Sequence, residues 1–180
     1  MLLLIAQTLV AAPKCRADEL TFQSKFCTIH YSDSDQLARF AGKIRAGAFT
    51  HALNQILVGR GGSPSNQTEL GEFLDALFKR VQLALDMPMP KLHVEIQIHK
   101  NVEEVRAAYT QLTGGSSNAP SFYWKKSNTI HIQPENLTVG MLAHEMGHAV
   151  LDHYFAIQPP EKIAEMLCQY VDKEITAGNF

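Results

Sequence analysis

The sequence predicts an α+β protein in which a small mixed β-sheet packs against helices. Three observations favour this fold class. Residues 91–100, KLHVEIQIHK, alternate apolar and polar side chains as a half-buried strand does. Residues 121–124 and 129–133 are short β-prone segments separated by the turn KKSN, which is typical of a hairpin. Longer segments between and after them carry apolar residues at helical spacing.

Length and charge limit the classes of protein that need to be considered. The chain has 180 residues, which suits one domain better than two. Its net charge is −2, so no basic excess is available to neutralise phosphates, and we expect neither a nucleic acid nor an anionic membrane as a partner. No apolar run is long enough to span a membrane. The composition does not determine an oligomeric state.

The N-terminal residues are typical of a secretory leader. MLLLIAQTLVAA is a short apolar block, and Cys15 and Ala17 are small residues at −3 and −1 of a candidate cleavage site. We therefore expect a signal peptide over residues 1–17, a single domain over residues 18–180, and a periplasmic or secreted protein. No Lys or Arg precedes the apolar block, and the alternative is an N-terminal core element in a cytoplasmic protein.

Two cysteines would remain after such a cleavage, Cys27 and Cys168. In an exported protein they could form a disulfide, whereas the alternative is a pair of small buried apolar side chains. Their positions in the sequence do not decide between these two alternatives.

The first half of the domain is predicted to contain a strand and two helices. Residues 21–32 are β-prone. A polar turn follows, and apolar residues then recur at helical spacing as far as Leu57. After a loop rich in glycine and serine, Asn66 and Glu69 form a capping-box pattern for a second helix, whose apolar residues continue to Val81.

The second half is predicted to contain a strand, a helix, the hairpin and two further helices. The alternating strand places His93 and His99 on its polar side, where we expect both imidazoles to be solvated, with a role in a metal site as the alternative. Asn101 and Glu104 repeat the capping-box pattern at the start of the helix that follows this strand.

The helix after the hairpin contains the sequence HEMGH. Its expected N-cap is Thr138, with Asn136 as the competing residue. His144 and His148 are one helical turn apart, so both imidazoles project from one side and can bind a single Zn²⁺ at about 2.0–2.1 Å. Glu145 lies about 100° round the helix, where it can accept a proton from a metal-bound water without being a ligand. H-E-x-x-H is the zinc-peptidase signature for this reason.

The residues around the motif favour a metal site over a metal-free core helix. From Met141 to Val150 every residue outside the motif's own histidines and glutamate is uncharged, as expected for a buried helix that presents ligands to a cleft. A metal-free helix would have to bury two imidazoles and a carboxylate together, and burying an unpaired carboxylate costs several kcal/mol.

A catalytic zinc site needs a third protein ligand and one open position. Pro159 and Pro160 break the motif helix, and the next segment, PEKIAEMLCQYVDKEI, turns back along it. Glu161 lies at the turn and Glu174 about 21 Å beyond it, whereas Glu165, about 8 Å from the start, is nearest to the level of the histidines. We therefore predict Glu165 as the third ligand.

Two polar residues could support that ligand. Gln169 and Asp172 share the face of Glu165 and are candidates to orient the ligands through hydrogen bonds. The alternative for Glu165 is a solvated carboxylate, because apolar residues mark a different side of its helix as buried. Those apolar residues are Ile163, Met166, Leu167, Tyr170 and Val171.

The HEMGH motif, followed by a glutamate on the next helix, resembles the gluzincin branch of the zincin metallopeptidases, the class that includes thermolysin-like enzymes. The resemblance covers residues 118–172 and includes NAPSFYW, which is similar to the aromatic edge strand that pairs with substrate in such enzymes. It implies a zincin-like fold, zinc bound by His144, His148 and Glu165, and Glu145 as general base. The implied substrate-binding edge strand comprises Ser121, Phe122, Tyr123 and Trp124.

The chain departs from the family pattern in three respects and looks like a minimal gluzincin. Only 16 residues separate His148 from Glu165, Gln169 stands where an Asp is usual, and no C-terminal subdomain follows in the sequence. Larger relatives use a His or Tyr to stabilise the oxyanion. The candidates for that role here are Tyr123, His153 and Tyr170.

The expected function is zinc-dependent hydrolysis of peptide bonds in a peptide or protein substrate, through Glu-assisted attack of a metal-bound water. One alternative is a zincin-fold module that binds zinc, or has lost it, without turnover. A metal-free interaction module and a hydrolase of another bond are further alternatives, because the motif activates water and does not choose the bond.

Overall fold

The computed structural model describes residues 19–45 and 67–177, and in these ranges a five-stranded mixed sheet packs with five helices. The strands are β1 Leu20–Gln23, β2 Cys27–Tyr31, β3 Val94–Ile98, β4 Ser121–Trp124 and β5 Thr129–Ile132. The helices are α1 Ser34–Arg45, α2 Gln67–Ala84, α3 Val102–Thr113, α4 Val139–Tyr154 and α5 Glu161–Ala177. The α+β class predicted from the sequence is confirmed. None of these described helices is both long and apolar enough to cross a membrane.

The strands follow the spatial order β1-β2-β3-β5-β4. The three central strands are parallel, and each edge strand is antiparallel to its neighbour. In this register Ile96 lies opposite Ile130, and Phe122 lies opposite His131. The predicted hairpin of β4 and β5 is confirmed. Because β4 ends the described sheet, its outer edge has no strand partner within the described residues.

One face of the sheet is buried against helices. Along β3 the side chains alternate as predicted, since Val94, Ile96 and Ile98 are buried while Glu95 and Gln97 are half-buried. The buried side chains belong to a core that also includes residues of α2, α4 and α5. The helix with the HEMGH motif is therefore held by packing on both the sheet and its neighbouring helices.

The opposite face of the sheet is richer in histidine, and His99 is not solvated as expected. Only 7% of His99 is exposed, because its ring stacks on His131 with centroids 5.3 Å apart. Phe122 stacks on the same His131 ring and contacts Tyr109 of α3 edge-on, so α3 covers this end of the sheet. His93, at the other end, is half-buried.

The segment predicted as one strand, residues 21–32, forms two strands joined by a tight turn. Asp75 of α2 holds this turn, because its carboxylate accepts hydrogen bonds from the Ser24 hydroxyl and from the backbone N–H groups of Lys25 and Phe26. The break between β1 and β2 therefore depends on a contact with a distant helix, which local β-propensity does not contain.

Three predictions lie outside the described residues, namely the signal peptide over residues 1–17, the continuation of the first helix to Leu57, and the cap at Asn66. Within the described residues the other capping box is confirmed. Asn101 Oδ1 accepts a 2.9 Å hydrogen bond from the backbone N–H of Glu104.

Cys27 and Cys168 are free, buried thiols on β2 and α5. Of the two alternatives for this pair, the structure contains the second, since both cysteines are small buried side chains and no disulfide joins them. Burial raises the pKa of both thiols, so both are held in the neutral form.

Candidate metal centre and active site

Helix α4 presents His144 and His148 on one side. The predicted cap is confirmed, because Thr138 Oγ1 accepts a 3.1 Å hydrogen bond from the backbone N–H of Met141. The histidine rings are 4.9 Å apart between centroids, and their Nε2 atoms are 3.2 Å apart. Both side chains are about one-fifth exposed, at 21% and 22%. The i, i+4 spacing thus brings two imidazole nitrogens together at the surface of a buried helix.

Helix α5 brings a carboxylate to the same point. Glu165 lies in the second turn of α5, after the proline turn that follows α4. Its Oε2 is 3.5 Å from His144 Nε2, and its Oε1 is 3.2 Å from His148 Nε2. The three side chains predicted as ligands therefore converge, and a glutamate one and a half helical turns past the break faces the histidines.

The spacing of these donor atoms is compatible with a shared metal ion. Two ligands at about 2.0–2.1 Å from zinc in a tetrahedron are about 3.3–3.4 Å apart. The two histidine nitrogens are 3.2 Å apart, and each lies 3.2 or 3.5 Å from a different oxygen of Glu165. With each imidazole protonated at Nε2, the same distances also allow one hydrogen bond from each histidine to the carboxylate. A cation between the three side chains would replace these hydrogen bonds.

Burial also favours the neutral imidazole that binds metals. The pKa of His148 is lowered, first by loss of water and second by the neighbouring His144, although the Glu165 carboxylate opposes both effects. A lowered pKa leaves a lone pair on the ring for a metal ion.

Cys168 is a further donor close to the two histidines. Its Sγ and the ligand nitrogens of His144 and His148 all lie within 4.8 Å of one another. Zinc would hold a sulfur about 2.3 Å away, which requires a nitrogen–sulfur separation of roughly 3.5 Å. The Glu165 oxygens lie at 3.2 and 3.5 Å from the same nitrogens. Glu165 and Cys168 are therefore both candidates for a third donor beside the histidines.

Cys168 packs directly against Gly147 of α4. A β-carbon at Gly147 would lie 3.1 Å from Cys168 Sγ, so the absence of a side chain in the motif allows α5 to approach α4 closely. This contact sets the distance between the two helices at the level of the histidines. The glycine within HEMGH thus contributes to the site through packing.

Glu145 lies beside the histidines but inside the protein. It is 7% exposed, and Ser121 Oγ donates a 2.7 Å hydrogen bond to its Oε1. The backbone N–H of Tyr123 donates a second hydrogen bond to the same carboxylate. Burial raises the pKa of Glu145 to about 7, although the two hydrogen bonds oppose this increase. A cation bound at the histidines would favour the charged form of this carboxylate.

These residues line a cleft of about 540 Å³ between β4 and helices α4 and α5. The wall formed by β4 runs from Ser121 to Lys125, and the opposite wall includes the histidines, Asp152 and Glu165. All four residues predicted for the substrate edge strand line this cleft. Ser121 and Tyr123 point toward α4, since their side chains contact Glu145 and Asp152 respectively.

The three oxyanion candidates are not equivalent. Tyr123 lines the cleft, and its hydroxyl can donate its one proton to either Asn128 Oδ1 at 3.0 Å or Asp152 Oδ2 at 3.3 Å. Burial and the Asp152 carboxylate raise the pKa of Tyr123, which keeps the phenol protonated. His153 bonds the Ala149 carbonyl of its own helix, and Tyr170 is exposed on α5. Neither His153 nor Tyr170 is among the residues that line the cleft.

The two residues proposed to orient the ligands make no hydrogen bond to the predicted ligands among the contacts of the described residues. Gln169 is exposed, and the Asp172 carboxylate accepts a hydrogen bond from Thr176 and abuts Gly140, one turn before His144. Asp172 therefore acts on the packing of α5 against the start of α4.

The buried side of α5 differs from the expected one. Ile163, Met166 and Tyr170 are exposed by 44–56%, whereas the buried residues of this helix are Cys168, Val171 and Ile175. The expectation that Ile163, Met166 and Tyr170 mark the buried side of α5 is therefore wrong, whereas Val171 is buried as expected. Glu165 remains 44% exposed, but on the side that faces the histidines.

Sequence reasoning missed two features of the site, the contact of Ser121 with Glu145 and the proximity of Cys168. The alternation of β4 carried a signal for the first, because Ser121 and Tyr123 share one face of a strand whose other face is aromatic. The i, i+3 spacing of Glu165 and Cys168 carried a signal for the second.

No protein-family model, curated protein or solved structure matches this chain.

Proposed function

We propose that this protein is a zinc-dependent peptidase of the zincin type, which cleaves peptide bonds in an extended polypeptide. The observation that carries the proposal is the convergence of His144, His148 and Glu165 beside the buried carboxylate of Glu145. Three protein ligands with one position left for water or substrate are the arrangement of catalytic zinc sites. The adjoining cleft has room for a substrate.

Zinc, when bound, would supply a Lewis acid that polarises a carbonyl and lowers the pKa of water. Glu145 would accept the proton of the attacking water and then donate it to the departing amine nitrogen. Tyr123 is the remaining candidate to donate a hydrogen bond to the oxygen that gains charge, because it alone of the three candidates lines the cleft.

The substrate would be held by the edge of the sheet. Strand β4 borders the cleft, and its outer edge has no strand partner within the described residues. An extended peptide can add to such an edge through backbone hydrogen bonds, with alternate side chains in pockets on either side. This placement would bring a peptide bond close to Glu145, since Ser121 and Tyr123 of β4 already contact that carboxylate.

The proposal is tested by replacing Glu145 with Gln, which keeps the shape of the side chain and removes the base. The purified protein is expected to bind one zinc ion and to cleave members of a quenched-fluorescent peptide library. Glu145→Gln should retain zinc and lose activity by about 10²–10⁴-fold. Glu135→Gln is the matched control, because Glu135 is an exposed glutamate outside the cleft.

Two outcomes would contradict the proposal. The first is a protein that does not bind zinc when the metal is added, as measured by elemental analysis after dialysis. The second is a zinc-loaded Glu145→Gln variant that cleaves the library as fast as the Glu135→Gln control does.

Cys168 favours one competing function, a zinc-binding module without turnover. If its thiolate joined the two histidines and Glu165, four protein ligands would close the coordination sphere, as in structural zinc sites. A wild-type protein that binds zinc, shows no cleavage of the library and has sulfur in its zinc coordination sphere by X-ray absorption would support this second function.

A further inference from the structure

The hydrogen bond between Ser121 and Glu145 joins two buried groups from different parts of the fold. Ser121 is 6% exposed and lies at the start of β4, and Glu145 is 7% exposed and lies in the middle of α4. The Ser121 hydroxyl donates to Glu145 Oε1 at 2.7 Å, a typical distance for an O–H···O hydrogen bond. Twenty-four residues separate these groups along the chain, so the bond depends on the packing of α4 beside β4.

Both anchors of the Glu145 carboxylate come from β4. The second anchor is the backbone N–H of Tyr123, two residues after Ser121. Since that N–H donates to Glu145, it is not paired with β5. Backbone groups two residues apart in a strand point the same way, so those of Ser121 also face the open edge. The carboxylate is thus attached to the edge strand on the side where a substrate peptide would pair.

We propose that Ser121 is a positioning residue that fixes the orientation of Glu145 against the substrate-binding strand. This inference rests on the proposed peptidase function. A glutamate has three rotatable side-chain bonds, and the neighbouring histidines contact each other and Glu165 rather than the carboxylate of Glu145. The Ser121 hydroxyl restricts the carboxylate to one place relative to β4, and therefore relative to a peptide held by that strand.

The test compares two variants of the same shape, Ser121→Thr, which keeps the hydroxyl, and Ser121→Val, which lacks it. Both place a β-branched residue in a strand, which the strand tolerates well. The kcat of Ser121→Val should fall about 10–100-fold relative to Ser121→Thr, the range typical of lost partners of site residues, with KM and zinc content unchanged. Ser127→Ala is the control within the same hairpin, because Ser127 is exposed and outside the cleft.

A second readout does not depend on activity. In protein labelled with ¹³C at the glutamate carboxyl carbon, the resonance of Glu145 is assigned by its loss in Glu145→Gln. In zinc-loaded Ser121→Val this resonance should shift and show exchange among rotamers, whereas in Ser121→Thr it should stay close to that of the wild type.

The outcomes separate this inference from the function on which it rests. Equal kcat and equal Glu145 resonances in the Thr and Val variants would overturn the positioning role. Loss of zinc or of folding in Ser121→Val alone would also overturn it, because the hydroxyl would then be structural. If the wild type cleaves nothing but the Glu145 resonance still separates Val from Thr, the positioning role stands and the peptidase function fails.

Discussion

Glu165 and Cys168 lie one helical turn apart on α5, and both offer a donor atom to the histidines of α4. Glu165 oxygens lie 3.2 and 3.5 Å from the two Nε2 atoms, and Cys168 Sγ lies within 4.8 Å of the ligand nitrogens. The thiol is completely buried and its pKa is raised by burial, so a cation would have to displace its proton, whereas the carboxylate of Glu165 is half-exposed. These two residues are therefore expected to differ in what they contribute to metal affinity.

We predict that Glu165→Ala weakens zinc binding by more than the 10–100-fold that loss of an outer-shell partner causes. Cys168→Ala should change zinc affinity by less than tenfold, because the change removes a packing atom and leaves all three proposed ligands. Competition with a fluorescent zinc chelator measures both affinities. A larger loss in Cys168→Ala than in Glu165→Ala would identify the thiol as the third ligand.

For single residues, the sequence predicted the positions that follow from the periodicity of one helix. The convergence of His144 and His148 follows from their spacing on one helix, and Glu165 follows from counting the rise along the next helix. The partners of these residues could not be predicted in the same way. Whether Ser121 reaches Glu145, or Gln169 faces solvent, depends on how β4 and α5 are rotated against α4.

The pair of helices α4 and α5 forms the frame of the site, and glycines allow their close approach. A β-carbon at Gly140 would lie 1.9 Å from Asp172 Oδ1 and 2.6 Å from Thr176 Oγ1. The hydrogen bond between Thr176 and Asp172 restrains the two side chains that would have to move. Gly147 repeats this contact near Cys168, at 3.1 Å. Residues without a side chain therefore occur at two levels of one interface.

We predict that Gly140→Ala destabilises the protein by about 1–3 kcal/mol, the range typical of overpacking. The Gly140→Ala/Asp172→Ala double variant should recover most of this loss, because it removes the clashing carboxylate. Gly42→Ala in α1 is the control. Nothing lies within 4 Å of a β-carbon there, so replacing this exposed helical glycine should stabilise the protein by about 0.5–1 kcal/mol.

Urea unfolding followed by circular dichroism measures these free energies. If Gly140→Ala were as stable as the wild type, α5 would not pack against the start of α4 as described.

The close packing of α5 on α4 also explains why the sequence mispredicted part of the buried side of α5. Apolar periodicity pointed correctly to Val171 and to the half-buried Leu167, but it also pointed to Ile163, Met166 and Tyr170, which are exposed. Close packing at the glycines turns α5 so that Cys168 and Ile175 are buried together with Val171.

For the molecule as a whole, the two faces of the sheet have different roles. The face toward α2 and α4 is the apolar core, and the alternation of β3 predicted it correctly. The other face carries a stacked arrangement of His99, His131 and Phe122. Sequence alternation indicated that His99 lies on this face but not that Phe122 and α3 cover it, because the covering residues come from later in the chain.

This stack makes the fold sensitive to acid. Burial, and secondly the nearby His99, lower the pKa of His131 from its usual 6.5 to about 4. His131 Nδ1 is 3.0 Å from His99 Nε2, and its buried Nε2 has no hydrogen-bond partner within the described residues. Glu104 is an acidic group close to the pair, with Oε2 3.9 Å from His99 Nδ1. A proton on His131 would thus be poorly solvated in the folded protein.

We predict a loss of stability as the pH falls from above 6.5 toward 4. In this window the unfolded chain protonates His131 before the folded chain does, so protons favour unfolding. The contribution of His131 is about 1–2 kcal/mol between pH 7.5 and pH 5. Urea unfolding at these two pH values should show a loss smaller by this amount in His131→Gln. An equal loss in wild type and variant would mean that another group carries the acid sensitivity.

The outer edge of β4 has no strand partner within the described residues, and this has a consequence when two molecules of the protein meet. If this edge binds a peptide as proposed, it could equally pair with the same edge of a second copy, and such a pairing would block both clefts at once. Strand β4 has only four residues, and Lys125 and Lys126 follow it directly. Short length and clustered lysines discourage two sheets from joining edge to edge. The short length of β4 and the lysines that follow it thus leave its outer edge available to a peptide.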